Sequence, residues 1–129
     1  MDKTYKYQET TQQIIGAAYK AHNSLGAGFL EKVYENALAI ELRNCGLSVA
    51  QQSQVEVRYQ GQIVGSYVAD LIVADRIVVE IKAISKLEKA HEAQLVNCLK
   101  ATGMPVGLLI NFGRSVEVRR RVFDQDVSL

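Results

Sequence analysis

The sequence predicts an α/β fold in which a mixed central sheet of about five strands is flanked by helices, in the order α-α-β-β-β-α-β-β. Three observations carry this. Apolar residues recur at helical spacing over the first third of the chain, the pattern then switches to the period of two expected of strands, and one helical segment separates the third strand from the fourth. A chain of 129 residues that is 48% hydrophobic has the length of one ordinary domain and enough apolar side chain for a core. One domain over residues 1–129 is therefore expected, with its core at about residues 9–123.

Ile14, Ile15, Ala18, Tyr19 and Leu25 mark a first helix from about Glu9 to Leu25, ended by Gly26-Ala27-Gly28. Leu30, Val33, Tyr34, Ala37 and Leu38 form the stripe of a second, closed at Asn44-Cys45-Gly46 by a glycine suited to the left-handed cap. From Leu47 to Arg58, Val49, Val55 and Val57 alternate with polar residues as in a strand, and Gln60-Gly61-Gln62 turns the chain into a second strand from Ile63 to Val73. After Ala74-Asp75-Arg76 a third runs from Ile77 to Ile84, β-branched on both faces as a covered central strand should be. Ser85, with Glu88 three residues on, forms a capping box that starts a helix to about Thr102, and Gly103 ends it. A helix between strands implies a right-handed crossover, so Val106 to Phe112 should run parallel to a strand already in the sheet, with Val116 to Phe123 as an edge strand.

Composition excludes several functions. A net charge of +1 argues against coating nucleic acid through a broad basic surface, so any such contact must be local. The basic run Arg119-Arg120-Arg121, with Arg114 nearby, reads as the solvated face of the last strand. No apolar run approaches the roughly 18 residues of a membrane span. Cys45 and Cys98 match no zinc-ligand spacing, and Met1 to Tyr7 show no signal-peptide pattern, so a cytoplasmic location is expected.

The chemistry gathers on the central strands. In Glu80-Ile81-Lys82, alternation puts Glu80 and Lys82 on one face and Ile81 on the other. Asp70 is a charge set in the apolar run Val68-Ala69-Asp70-Leu71-Ile72-Val73. A two-residue loop at Asp75-Arg76 would separate the acids, but it lacks the Gly or Asn of primed turns. A three-residue loop pairs Val73 with Ile77 and sets Asp70 across from Glu80. Two carboxylates facing each other on buried strands repel and lose hydration, and one lysine neutralises both poorly, whereas a divalent cation can. Mg²⁺ (or Mn²⁺) fits, with Asp70 and Glu80 as ligands and the carbonyl of Ile81 as a further candidate. Lys82 is then placed to orient water and stabilise charge on a phosphate. The plainer reading of the same residues is a cross-strand ion-pair cluster. On the first and third helices, His22 and His91 read by default as structural or partly exposed, and Tyr34 as core.

Gly28-Phe29-Leu30-Glu31-Lys32-Val33-Tyr34 reads G-x-x-E-x-x-Y, and with Asp70, Glu80-Ile81-Lys82 and Gln94 the chain resembles the GxxExxY family of the PD-(D/E)XK nuclease superfamily, from about Thr10 to Phe123. The resemblance implies the restriction-endonuclease-like version of the fold, with Asp70 and Glu80 as metal ligands and Lys82 as the catalytic lysine. It also implies Glu31 as an extra metal or water ligand and places Gln94 at the same site. Two positions depart from the pattern: Cys98 stands where related exonuclease domains have tyrosine four residues after the glutamine, and Ala69 replaces the proline of the superfamily name. The implied activity is Mg²⁺-dependent hydrolysis of DNA or RNA phosphodiesters. The alternative is a catalytically silent nuclease-like module that binds nucleic acid or protein, and in either case a homodimer is the expected assembly.

Overall fold

The computed structural model describes residues 7–123. Within them lie α1 (Gln8–Leu25), α2 (Glu31–Asn44), β1 (Val49–Tyr59), β2 (Gln62–Val73), β3 (Ile77–Lys82), α3 (Lys89–Thr102), β4 (Val106–Phe112) and β5 (Val116–Val122). This is the predicted order. The strands form one sheet, β1-β2-β3-β4-β5, antiparallel at every step except β3 with β4, which run parallel as the crossover through α3 requires. The segment before Tyr7 lies outside the described residues.

Local chemistry explains the boundaries. α2 ends in a Schellman motif, with the Leu47 amide donating to the Leu42 carbonyl and the Gly46 amide to that of Arg43, while Gly46 sits at φ 84°. Gln60 and Gly61, at φ 51° and 77°, form a two-residue primed hairpin turn. The Ala74-Asp75-Arg76 loop pairs Val73 with Ile77, the register expected from the sequence. One boundary differs. Ser85 does not cap α3; Glu88 does, because Leu87 is buried against the α3 side and His91 Nδ1 accepts the Glu88 amide at 2.9 Å, the role expected of an acidic side chain.

Helices cover both faces. On one side α1 and α2 pack over Leu71, Val73, Ile77, Val79, Ile81 and the even-numbered residues of β4, and on the other α3 covers Ala69, Val78 and Leu109. Strand alternation inverts between Ala69 and Leu71, which lie two apart yet belong to opposite cores. The inversion falls at Asp70 and at Gln52 on β1, whose φ is 53°. The arginine run is engaged rather than free: Arg119 pairs with Glu92 and Glu117, and Arg121 with Glu92, tying β5 to α3. No helix of the described residues is long and apolar enough to cross a membrane.

Candidate active site

Asp70 stands at the end of the β2–β3 ladder. The last backbone partners are Leu71 and Val79, and one step further the Asp70 side chain continues the pairing by accepting the Ile81 amide at 2.8 Å through Oδ2. That bond fixes the carboxylate beside Glu80, a residue only 8% exposed. Burial pushes the Glu80 carboxyl up to about 8; the Asp70 charge adds to the shift and Lys82 opposes it. Glu80 is therefore largely a neutral acid at pH 7 in the metal-free protein. Beneath it, Cys98 Sγ lies 3.9 Å from Oε1, and burial followed by the Glu80 and Asp70 charges pushes that thiol up to about 11.

Helix α2 brings a second acidic pair. Glu31 opens the helix, and its carboxyl is raised by partial burial, lowered by Lys82, and raised again by Asp70 and Glu35. These four charges and Glu80 thus share one neighbourhood. Glu35, one turn on, is buried and accepts from Lys32 Nζ at 3.0 Å, Gln51 Nε2 at 2.8 Å and Gln52 Nε2 at 2.7 Å. Gln52 Nε2 also donates to Asp70 Oδ1 at 3.2 Å, so one amide links the buried helix acid to the strand acid. Sequence reasoning missed Glu35, Gln51 and Gln52. An acid one turn after Glu31, flanked by the apolar stripe positions Tyr34 and Leu38, was the available signal.

The structure brings Glu31, Asp70, Glu80 and Lys82 together and leaves two predicted residues less committed. Gln94 lies one turn before Cys98 on the same side of α3, is exposed, and makes no hydrogen bond among the described residues. Ile81 contributes its amide to Asp70, the only polar contact found for it within the site. His91 is taken up in capping α3, and His22 is structural: its Nε2 lies 2.8 Å from the Gly113 carbonyl and its ring stacks with Tyr34 and Phe112. Tyr34 is fully buried, stacks on Phe112 at 4.7 Å, and ties down the α1–α2 loop by donating to the Gly26 carbonyl at 2.5 Å and accepting the Phe29 amide at 3.2 Å. The spacing from Glu31 to Tyr34 thus sets an acid at the mouth of the site and anchors the loop that leads into it.

A cleft of about 490 Å³ opens beside this cluster, walled by the α1–α2 loop, by Glu31 and by the residues that follow β3 and β4. It lies outside the carboxyl ends of two parallel strands, the place where open α/β sheets bind ligands. Asn111 holds its rim by donating to the Ile84 carbonyl and accepting the Ile84 amide, both at 2.9 Å.

Among the described residues, no group of three His, Cys, Asp or Glu side chains already converges as for a metal ion. Both Asp70 oxygens accept hydrogen bonds, Oδ2 from the Ile81 amide and Oδ1 from Gln52 Nε2. The donor set nonetheless suits a hard divalent cation. It consists of carboxylate oxygens, and the raised Glu80 carboxyl is what an acid buried beside a second acid shows when only a lysine opposes their charge.

An aspartate facing Glu-x-Lys on the central strands of a mixed sheet, with helices on both faces, defines a nuclease-like α/β protein. The model of the PD-(D/E)XK nuclease superfamily matches residues 8–122, and the chain belongs to that superfamily. Its members generally use divalent metals and act on nucleic acid. The crystal structure of SSO0001 is similar, with a TM-score of 0.60 and 17% identity, over 95% of this chain and 63% of that one. At that identity the likeness is one of fold, and this chain spans less than two thirds of SSO0001. No curated protein matches.

Proposed function

We propose that this chain is a divalent-metal-dependent nuclease of the GxxExxY kind, hydrolysing phosphodiester bonds of DNA or RNA, with residues 9–123 as one catalytic domain. The observation that carries the reading is the convergence of Asp70, Glu80 and Lys82 on adjoining strands beside Glu31 of α2. Asp70, Glu80 and Glu31 would hold Mg²⁺ or Mn²⁺, with the Ile81 carbonyl as a further ligand. Such an ion supplies charge neutralisation at the phosphate and acidifies water. Lys82, on the Glu80 face of β3, orients the attacking water and stabilises charge developing on the phosphate. Gln94 contacts substrate from α3. Glu35 and Gln52 do not react; they hold Asp70 in place. A cytoplasmic homodimer is the assembly and location we propose, because a domain this small offers little surface with which to embrace a duplex.

A second reading, a nuclease-like module that binds nucleic acid or protein without turnover, is favoured by the absence of a ready-made ligand cluster among the described residues. Calorimetric titration of Mn²⁺ and Mg²⁺ into wild type, Asp70→Ala and Glu80→Ala separates the two. The nuclease reading expects binding in wild type that both variants lose while remaining folded by circular dichroism. Wild type that takes up neither ion, with or without nucleic acid, overturns it in favour of the binding module.

A further inference from the structure

We propose that the cleft beside the acidic cluster is a subsite for one unpaired nucleotide of a DNA or RNA strand, with Phe29 stacking on its base and Arg114 contacting its phosphate. The inference rests on the nuclease reading for its position. Glu31 belongs both to the acidic cluster and to the cleft wall, so a strand whose phosphate lies at the cluster continues into the cleft. A volume of about 490 Å³ falls in the range that encloses a small organic ligand, and one nucleotide is a ligand of that class.

The lining supplies the two things a nucleotide needs. Phe29 and Leu30 are 47% and 81% exposed, adjacent in the chain, and both face the cleft. Single exposed apolar residues need no explanation, but this ring packs edge-on against a buried one. Its centroid lies 6.2 Å from that of Tyr34 at an interplanar angle of 77°, its backbone amide donates to the Tyr34 hydroxyl, and the Tyr34 ring stacks on Phe112. An aromatic side chain has few rotatable bonds, so a half-exposed one loses little entropy when a base stacks on it. Stacking requires a base whose face is free, which a base inside a duplex does not offer.

Charge points the same way. Of the seven arginines, Arg114 on the opposite lip is the one with no hydrogen bond or ion pair among the described residues. Arg43, Arg58, Arg76, Arg119 and Arg121 are engaged by neighbours, and Arg120 has a partner as well. A protein of net charge +1 offers no broad basic surface with which to track many phosphates along a duplex. One free arginine and one aromatic platform suffice for a single nucleotide.

The chain contains no tryptophan, so Phe29→Trp introduces a sole tryptophan, excited selectively over the six tyrosines, in the full-length protein. Its emission is read against a single-stranded DNA 12-mer, the matching RNA and the blunt duplex of that DNA, with Ca²⁺ replacing Mg²⁺ to limit cleavage, and the anisotropy of a labelled 12-mer reads the chains that lack the tryptophan. Saturable quenching by one or both single strands, at concentrations at least about tenfold below those needed for the duplex, is expected. By anisotropy, Phe29→Ala should weaken single-strand binding roughly tenfold at an unchanged thermal midpoint, and Arg114→Ala should lower the salt slope by about one. The DNA and RNA arms decide which strand is preferred. Equal binding of duplex and single strand, no quenching, or wild-type affinity in Phe29→Ala each overturns the subsite. The metal titration keeps the two failures apart: quenching without metal binding sinks the nuclease reading and leaves the subsite, whereas metal binding without quenching sinks the subsite alone.

Discussion

The two faces of the sheet are packed by different rules. Under α1 and α2 the core is apolar, the buried acid Glu35 of α2 is matched by Lys32, Gln51 and Gln52, and the polar atoms of Tyr34 and His22 serve to close the α1–α2 and β4–β5 loops. Under α3 the apolar cluster is smaller, and a carboxyl, Glu80, is packed against Cys98 within reach of Asp70. Burying an acid costs stability unless it is matched, and hydrophobic replacements are often as good or better. The first face therefore holds the fold while the second carries the cost of a buried acid, and the two meet at the inversion at Asp70.

The largest effect that can break this contrast is on the apolar face. Tyr34→Ala removes a fully buried ring stacked on Phe112 and the hydroxyl that ties Gly26 to Phe29. A loss of about 3–5 kcal/mol is expected by chemical denaturation, with Tyr34→Phe costing about 1 kcal/mol for its hydrogen bonds. If Tyr34→Ala costs no more than Tyr34→Phe, the α1–α2 face is not the stabilising one.

On the other face the expectation is a pH dependence. Glu80 is raised from 4.5 to about 8, so below pH 4.5 it is protonated in both folded and unfolded chains. Between those values the folded state keeps a proton that the unfolded state has released, and stability in chelator falls as pH rises through the window, levelling above about 8. Glu31, also raised, adds a contribution of the same sign. Glu80→Gln should flatten the slope and be more stable than wild type at pH 9. Denaturant midpoints from pH 4 to 9 measure this, and parallel profiles would mean that Glu80 is not the group in question.

How much of this could be read in the sequence follows from the range of the forces involved. The helices, the parallel β3–β4 step and the pairing of Val73 with Ile77 were legible because period and turn chemistry are local. The placement of Asp70 beside Glu80 followed from that register. The burial of Glu35 had a signal in its place beside the apolar stripe, but its link to Asp70 through Gln52 was not legible, because it depends on a glutamine at φ 53°, a conformation its residue type does not announce. The start of α3 was misread because His91 stands in for the acid of a capping box. The cleft was invisible for another reason: its walls come from three segments separated by dozens of residues.

Gln52 offers the sharpest, if smallest, test of the link between the faces. Its backbone is in the left-handed region, where any residue with a Cβ is strained, and its side chain joins Glu35 to Asp70. Two substitutions separate the effects. Gln52→Ala loses the amide and keeps the strain, whereas Gln52→Gly loses the amide and relieves the strain. If the inversion at this position is held by the fold, Gln52→Gly should be more stable than Gln52→Ala by roughly 1 kcal/mol, while both lose the same amount of divalent-ion affinity. Equal stabilities would mean that the strand relaxes once the amide is gone. The hydrogen bonds from Gln52 to the two acids would then be what keeps the strand inverted, and Asp70 would owe its place beside Glu80 to Glu35.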